Sequence, residues 1–377
     1  MKLAFILGRY SVGSRPLNFN ILWQDARGLT GTELGIVMNA QEMVKLGHDV
    51  SLFTVFAGEK PVEWNGVKLF TLEQTQVIDE TFDAVVSYNE PDVFRGMCRK
   101  PLKVVCQMLN DFHYCQPGFD ELVDIYTSPS LMHMKYVQSL TPIPEKWKVV
   151  PLGCDLSWYS DSRVPGRVIW ASSADRGLHL VLQEWSKIKA AVPEAHLKMF
   201  YNFNFGDLTK YEPNDKLLTT DNNAYHPVIV EMGNRIRYVK AATEKLKHLG
   251  VEMVGSVSRE RMQKEMSEAM VLAYPVSTVN FTEGFSVTTM EACASNTIPV
   301  LCGCDAIKSI YGKVAPMIEA PAKDHMKEFV QLVVKSLTDE EFQKKTIQKC
   351  KAFAAEYSWH NVTMQLEKII KEAIKHE

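Results

Sequence analysis

The chain has 377 residues, 46% hydrophobic and 23% charged, which is the composition of a globular protein with enough apolar residues for two domains. Its 42 basic and 45 acidic residues leave a net charge of −3, so bulk charge gives no support for a nucleic-acid partner. No apolar stretch reaches about 18 residues, and the apolar run after Lys2 is too short for a signal peptide. With eight cysteines and no CxxC pair, we expect a cytoplasmic protein with free thiols and no transmembrane segment.

Apolar runs alternate with helical patterns through the first 150 residues. Helices are predicted over Thr32–Leu46 and Ser130–Leu140. Repeated strand–helix units indicate a parallel sheet covered on both faces. The predicted strands are Leu3–Leu7, Val50–Val55, Ala84–Ser87, Lys103–Gln107, Leu122–Tyr126 and Lys148–Val150.

The alternation of strand and helix patterns stops near Pro151. The stretch PLGCDLSWYSDSRVPGR has little hydrophobic periodicity and is typical of a link between domains. We therefore predict a first domain at 1–157, a second α/β domain at 158–356 and a C-terminal amphipathic helix at 357–377. The polar stretch 202–225 is predicted to be a surface loop or insertion. Second-domain strands are predicted at Arg167–Ala171, Leu197–Tyr201, Glu252–Val254, Val271–Tyr274 and Ile298–Leu301, with helices at Leu178–Ala191, Val228–His248, Glu260–Ala269, Val287–Ser295 and Lys323–Ser336.

Two loops that enter helices are candidate anion sites. Gly31 and Thr32 stand where a polar loop enters the first helix, and free N–H groups at such a position bind phosphate as readily as they form a plain turn. In the second domain, WASSADRG places Asp175 as a predicted N-cap and Arg176 in the first helical turn. A cation there opposes the helix dipole, which favours a ligand-facing role, with a solvated surface arginine as the alternative.

The stretch FTEGFSVTTMEACASNTIPV contains two acidic residues eight positions apart. Ser286 suits an N-cap, so Glu283 precedes the predicted helix and Glu291 lies on its apolar side. A carboxylate on an apolar face requires a partner, which is a buried arginine, a backbone group or a ligand hydroxyl. The two acids and the N–H groups of 284–286 predict a site for a small polar molecule, with a surface charge as the alternative for Glu283.

Together these residues resemble the retaining glycosyltransferases of GT-B fold, specifically family GT4. The resemblance covers nearly the whole chain and rests on five stretches. E-x7-E at Glu283 and Glu291 is weak as a motif by itself, and the order and neighbours of these stretches make it specific. It implies two facing Rossmann-like domains with parallel sheets and a C-terminal helix that crosses back to the first domain. The stretches that carry it, in the family's order, are TGTE…VKLGHDVSLFT, WKVVPLGCDLSWY, SSADRGL, EGFSVTTMEACASNTIPVL and YSWHNVTMQLEKII.

The resemblance also implies an activity: metal-independent transfer of a sugar from a UDP- or GDP-linked donor, with no cofactor. Glu283 would hold hydroxyls of the donor sugar, Arg176 would neutralise the leaving diphosphate, and His113 would contact the sugar. The sequence does not identify the acceptor, whether glycan, lipid or protein, and peripheral membrane contact is left open. The residues implied in donor binding are Gly31, Thr32, Gly284, Phe285, Ser286 and Glu291.

Several positions depart from the family pattern. Trp170 stands where many members have a second basic residue, and Asn296 stands where a glycine is usual. His113 falls a few residues late, and Asp111 competes for its place. Trp170 and Asn296 keep open the alternative of a non-catalytic nucleotide-sugar-binding protein derived from a transferase. A GT-B-fold nucleotide-sugar epimerase is a second alternative, and it would need further acid/base carboxylates that the sequence does not single out.

Overall fold

The computed structural model describes residues 1–8, 15–108, 121–139, 144–201 and 226–376. The chain divides into two compact units. Unit 1 comprises Met1–Cys154 together with Glu356–Glu377, and unit 2 comprises Asp155–Ala355. Within the described residues, no helix combines the length and apolar character needed to cross a membrane.

Unit 1 contains one sheet and three α-helices among its described residues. The helices are α1 (Gly31–Lys45), α2 (Leu131–Gln138) and α10 (Trp359–His376). The strands are β1 (Lys2–Ile6), β2 (Asp49–Thr54), β3 (Glu63–Trp64), β4 (Val67–Thr71), β5 (Ala84–Tyr88), β6 (Leu102–Cys106), β7 (Ile125–Ser128) and β8 (Trp147–Val149). Their order is β3-β4-β2-β1-β5-β6-β7-β8, and every neighbouring pair except β3 with β4 is parallel.

The central strands of unit 1 are buried on both faces, as the continuous apolar runs predicted. Two details differ from prediction. Strand β7 begins three residues later than expected, at Ile125, and the antiparallel β3–β4 hairpin was not predicted. The hairpin turns at Asn65 and Gly66, which both have left-handed backbone (φ 48° and 82°). Asn-Gly is a strong signal for such a turn, so this hairpin was visible in the sequence.

The C-terminal helix α10 belongs to the core of unit 1. Val362, Leu366 and Ile370 are fully buried on one face of it. Thr363 Oγ1 donates a hydrogen bond to Asn39 Oδ1 of α1 at 2.7 Å. The amide of Asn39 in turn donates to the hydroxyl of Tyr88 at 2.7 Å, so a buried polar chain joins α10, α1 and β5.

The described residues of unit 2 form a six-stranded, wholly parallel sheet in the order β11-β10-β9-β12-β13-β14. The predicted α/β class with parallel sheets is therefore confirmed in both units. The strands are β9 (Arg167–Trp170), β10 (His196–Met199), β11 (Val251–Met253), β12 (Val271–Tyr274), β13 (Ile298–Cys302) and β14 (Met317–Ile318); the helices are α3 (Leu178–Ala191), α4 (His226–Leu246), α5 (Arg259–Glu268), α6 (Val287–Ala294), α7 (Ile307–Tyr311), α8 (Met326–Thr338) and α9 (Glu340–Glu356).

Helix α9 was missed by the sequence reasoning. Its buried positions are Gln343, Thr346, Cys350 and Ala354, which are polar or small, so the apolar stripe that marks a surface helix is weak. Strand β14 and helix α7 were also missed, because both are too short to show a period.

Candidate functional site

The candidate site lies at the carboxyl ends of β9, β12 and β13 in unit 2. The chain leaves β9 toward β10 and β11 on one side, while β12, β13 and β14 lie on the other side. The sheet therefore reverses its winding between β9 and β12. Ligands of open α/β sheets bind at such a switch point, outside the carboxyl ends of the strands.

Arg176 and Glu283 meet at this switch point and form an ion pair. Arg176 ends a 3₁₀ turn after β9, and Glu283 lies in the loop between β12 and α6. The side chain of Glu283 is only 3% exposed, whereas that of Arg176 is 31% exposed. Arg176 is therefore the member of the pair whose side chain solvent, or a ligand, can reach. The alternative of a surface position for Glu283 is wrong.

The ionisation of this cluster follows from its burial. Burial raises the pKa of Glu283, and the charge of Arg176 offsets part of that rise. The hydroxyl of Tyr274 lies 3.0 Å from Ser172 Oγ, and burial raises its pKa well above the ordinary value of 10. Tyr274 thus remains a protonated hydrogen-bonding group beneath the ion pair.

Asp305 fixes the backbone that carries Glu283. Its Oδ2 accepts three hydrogen bonds of 3.0 Å, from Thr278 Oγ1 and from the N–H groups of Thr282 and Glu283. The N–H of Ala306 donates to the carbonyl of Glu283 at 3.1 Å. The Glu283 peptide is therefore held on both sides by the loop after β13. Sequence reasoning missed Asp305, although its position just after a buried strand could have indicated it.

The loops after β9 and β12 are joined directly. The N–H of Ser277 donates to the carbonyl of Arg176 at 2.9 Å. The guanidinium of Arg235, on α4, donates to the carbonyls of both Asp175 (2.8 Å) and Ser277. Gly177 (φ 124°) makes this approach possible, because a Cβ there would lie 2.5 Å from the carbonyl oxygen of Pro275. Arg235, which sequence reasoning also missed, acts as a bridge between these loops.

The start of α6 has an unusual N-cap. Ser286 has left-handed backbone (φ 68°, ψ 85°), whereas N-cap residues ordinarily lie in the β region. Its Oγ accepts from the N–H of Thr289 at 3.4 Å, and the hydroxyl of Tyr311 donates to its carbonyl at 3.0 Å. Phe285 is buried beside the ring of Tyr311. Such strain in a non-glycine residue persists where surrounding contacts enforce it, and it is frequent at functional sites.

Glu291 lies within α6 and is buried, as the sequence indicated. Its Oε1 is bonded to the buried guanidinium of Arg259, the first residue of α5. The indole of Trp158 lies 5.6 Å from that guanidinium. The buried-arginine alternative for the partner of Glu291 is therefore confirmed. The described structure brings Arg176 and Glu283 into contact, while Glu291 is engaged with Arg259.

The remaining predicted residues lie in unit 1 or outside the described residues. Gly31 and Thr32 begin α1, and Thr30 caps it. Thr30 and Glu33 form a capping box, in which Glu33 Oε2 accepts from the N–H of Thr30 at 2.7 Å. His113 and its competitor Asp111 lie outside the described residues.

One expectation about unit 2 is corrected by the local geometry, and the structure gives the setting of two departures from the family pattern, Trp170 and Asn296. Asp175 is not the N-cap of α3; it lies in the preceding 3₁₀ turn, and Gly177 takes the cap position. Trp170 is fully buried, with its indole N–H donating to the carbonyl of Ser172 at 2.7 Å, so it is a core residue of β9. Asn296 has left-handed backbone (φ 66°), which is the conformation that favours glycine and that asparagine also tolerates.

The described residues contain no cluster of three or more histidine, cysteine, aspartate or glutamate side chains arranged to hold a metal ion. The cations paired with Glu283 and Glu291 are both arginines, Arg176 and Arg259.

No family model and no curated protein matches the chain. Solved structures match it along its full length. Sucrose-phosphate synthase from Thermosynechococcus elongatus is similar with a TM-score of 0.70 and 10% sequence identity, over 100% of both chains. AviGT4, a glycosyltransferase involved in avilamycin A biosynthesis, gives a TM-score of 0.66 and 13% identity, over 100% of this chain and 99% of its own.

HepE from Anabaena, solved in complex with UDP and glucose, is also similar. Its TM-score is 0.64 at 12% identity, over 99% of this chain and 100% of its own. At such identities the likeness establishes the fold alone. The chain has the α/β fold of the GT-B glycosyltransferases, with two parallel-sheet domains.

Proposed function

We propose that the protein is a glycosyltransferase that moves a sugar from a nucleoside diphosphate sugar, carried on UDP or GDP, to a hydroxyl of an acceptor. The observation that carries the proposal is the Arg176–Glu283 pair at the β9–β12 switch point of unit 2. A cation reachable from solvent suits a diphosphate, and a carboxylate beside it suits sugar hydroxyls. Structural neighbours solved with UDP and with UDP-glucose support this choice of donor.

In this proposal the catalytic work is electrostatic. The bond between the sugar's anomeric carbon and the diphosphate oxygen breaks, and negative charge develops on the leaving diphosphate. Arg176 and the N–H groups at the start of α6, from Gly284 to Ser286, stabilise that charge. Because these groups supply the positive charge, the proposed reaction requires no metal ion.

We assign the two carboxylates to binding. Glu283 accepts hydrogen bonds from hydroxyls of the donor sugar. Glu291, with one oxygen held by Arg259, accepts from the ribose hydroxyls with the other. A retaining glycosidase uses a carboxylate as the nucleophile. Glu283 is buried and paired with Arg176, which makes it a poor nucleophile.

The proposal therefore extends to retention without a covalent enzyme intermediate, as the resemblance to family GT4 implies. The acceptor hydroxyl attacks the anomeric carbon from the face that the diphosphate leaves. The acceptor's proton passes to the departing phosphate oxygen, so atoms and charge balance. The features that had favoured a non-catalytic protein, Trp170 and Asn296, have structural explanations in the core of β9 and in a left-handed turn.

A panel of UDP- and GDP-sugars tests the proposal. We expect release of free UDP or GDP from one of them, with product NMR showing a retained anomeric configuration. Arg176→Ala should lower the rate about 100-fold, the effect of removing one group that stabilises a developing oxyanion. An epimerised nucleotide sugar without free nucleotide would instead identify an epimerase, and binding without turnover would identify a binding protein.

A further inference from the structure

The ion pair of the candidate site joins two residues whose proposed ligands differ. Under the proposed function, on which this inference rests, Arg176 binds the diphosphate and Glu283 binds the sugar. In the structure each is the other's partner. Both residues must therefore exchange this contact for a ligand contact when the donor binds.

This exchange of partners requires the side chains to move but not the backbone. The carbonyl of Arg176 is bonded to the N–H of Ser277 at 2.9 Å, which holds its backbone. The backbone of Glu283 is held by Asp305 at 3.0 Å and by Ala306 at 3.1 Å. Because both backbones are anchored, rotation of the side chains is sufficient to separate the charges, and the loops keep their positions.

Arg176 and Glu283 differ in how much of each side chain is exposed to solvent. The side chain of Glu283 is 3% exposed and that of Arg176 is 31% exposed, so an incoming anion reaches Arg176 before it reaches Glu283. To displace a buried carboxylate, an incoming anion must offer at least comparable charge and more than one acceptor oxygen. A diphosphate does so, whereas a neutral sugar does not.

We propose that the Arg176–Glu283 pair is a charge latch that the diphosphate of the donor opens. The diphosphate replaces Glu283 on Arg176, and the released carboxylate then accepts the sugar hydroxyls. The latch makes sugar binding depend on diphosphate binding, so a free sugar does not occupy the site. It also lowers the affinity for the diphosphate itself, because Glu283 competes for the same cation.

This competition gives a test that needs no sugar transfer. Titration calorimetry with inorganic pyrophosphate compares wild type with Glu283→Gln, which removes the competing charge and keeps the shape. We expect Glu283→Gln to bind pyrophosphate about five- to tenfold more tightly, in line with one charge-assisted contact, and less so at high salt. The gain should vanish in the double variant Arg176→Ala with Glu283→Gln.

A matched control is available in the same sheet, at the amino ends of β9 and β12, away from the candidate site. Glu268→Gln breaks the Arg167–Glu268 ion pair, whose side chains are 13% and 21% exposed. Its affinity for pyrophosphate should stay within about twofold of wild type, a difference of less than about 0.5 kcal/mol. If thermal unfolding shows that Glu283→Gln does not fold, Glu283→Asp weakens the latch while keeping the charge, and a smaller gain is expected.

Equal or weaker pyrophosphate binding by both Glu283 variants would overturn the inference, as would a gain that persists without Arg176. Absence of pyrophosphate binding in every variant would overturn it too. The proposed function fails separately, if wild type binds no nucleoside diphosphate and turns over no nucleotide sugar.

Discussion

Gly177 lies where the two loops of the site approach each other closely. Its backbone has φ 124°, and an added Cβ would lie 2.5 Å from the carbonyl oxygen of Pro275 and 3.2 Å from the nitrogen of Ser277. Neither neighbour is a flexible side-chain end, so the clash cannot be relieved cheaply. The β9 turn and the β12 loop therefore depend on the absence of a side chain here.

We expect Gly177→Ala to destabilise the protein by about 2 kcal/mol or more, because both the backbone conformation and the contact oppose a methyl group. Urea unfolding measures the change. Gly47→Ala is a control with left-handed backbone (φ 86°) but nothing within 4 Å of its Cβ, so it isolates the conformational part. Equal losses in the two variants would rule out the close approach as the cause.

His179 lies near the same turn and responds to pH. Burial, followed by the charge of Arg235, lowers its pKa from 6.5 to about 4. Its Nδ1 is buried without a hydrogen-bond partner. The folded protein thus keeps the imidazole neutral at a pH where the unfolded chain takes up a proton.

The free energy of unfolding is unaffected by this group above pH 6.5 and decreases as pH falls from 6.5 toward 4. In that range the unfolded state binds a proton at His179 that the folded state does not bind. We expect the urea midpoint to fall between pH 7 and pH 5 by more in wild type than in His179→Gln, which cannot titrate. Parallel falls in the two proteins would show that other groups dominate the acid response.

At the scale of elements, the Arg259–Glu291 pair ties α5 to α6. Both side chains are nearly inaccessible, at 7% and 6% exposure. Breaking a buried pair leaves one charge without compensation, so Arg259→Ala should cost about 3–5 kcal/mol. Lys264→Ala, in the exposed pair with Glu268 at 3.9 Å, should cost less than about 0.5 kcal/mol.

Replacing both buried partners by methionine should recover much of the stability lost in Arg259→Ala, since no uncompensated charge remains. Thermal and urea unfolding of the three variants provide the comparison. If Arg259→Ala costs no more than Lys264→Ala, the buried pair does not stabilise the packing of these helices.

The loop after β13 positions Glu283 through Asp305. Asp305→Ala removes the acceptor of three hydrogen bonds, so we expect the 278–283 segment to loosen and kcat/KM for the donor to fall at least about tenfold. Asp305→Asn keeps one acceptor oxygen and should recover part of the loss. Cys304→Ser, next in the chain, is the control that should leave kcat/KM nearly unchanged.

Elements with a clear period or a continuous apolar run were predictable, and short or polar ones were not. Strands β1, β5 and β13 are buried on both faces and appear as apolar runs in the sequence. The buried face of helix α9 includes glutamine and threonine, so it does not appear as an apolar stripe in the sequence. Strand β7 begins three residues later than predicted. Periodicity reports burial, and it fails when buried positions are not apolar.

For the whole molecule, the sequence indicated where charged residues would gather but not how they would pair. Chain order could place Arg176 and Glu283 at the edge of one sheet, because both follow strands of the same predicted domain. It could not show that they would bond to each other, or that Asp305 and Arg235 would hold their loops, because those contacts span 22 to 107 residues. Asn296 departs from the glycine that is usual in the family pattern, and the sequence alone could not show that its backbone is left-handed, a conformation that both residues tolerate.

The central claim is that a nucleoside diphosphate binds at Arg176. Titration calorimetry with UDP and GDP, on wild type, Arg176→Ala and the control Glu268→Gln, measures this directly. We predict that wild type binds at least one of the two nucleotides, that Arg176→Ala binds it about tenfold or more weakly, and that Glu268→Gln binds it as wild type does. Absence of binding to both nucleotides, or unchanged affinity in Arg176→Ala, would contradict it.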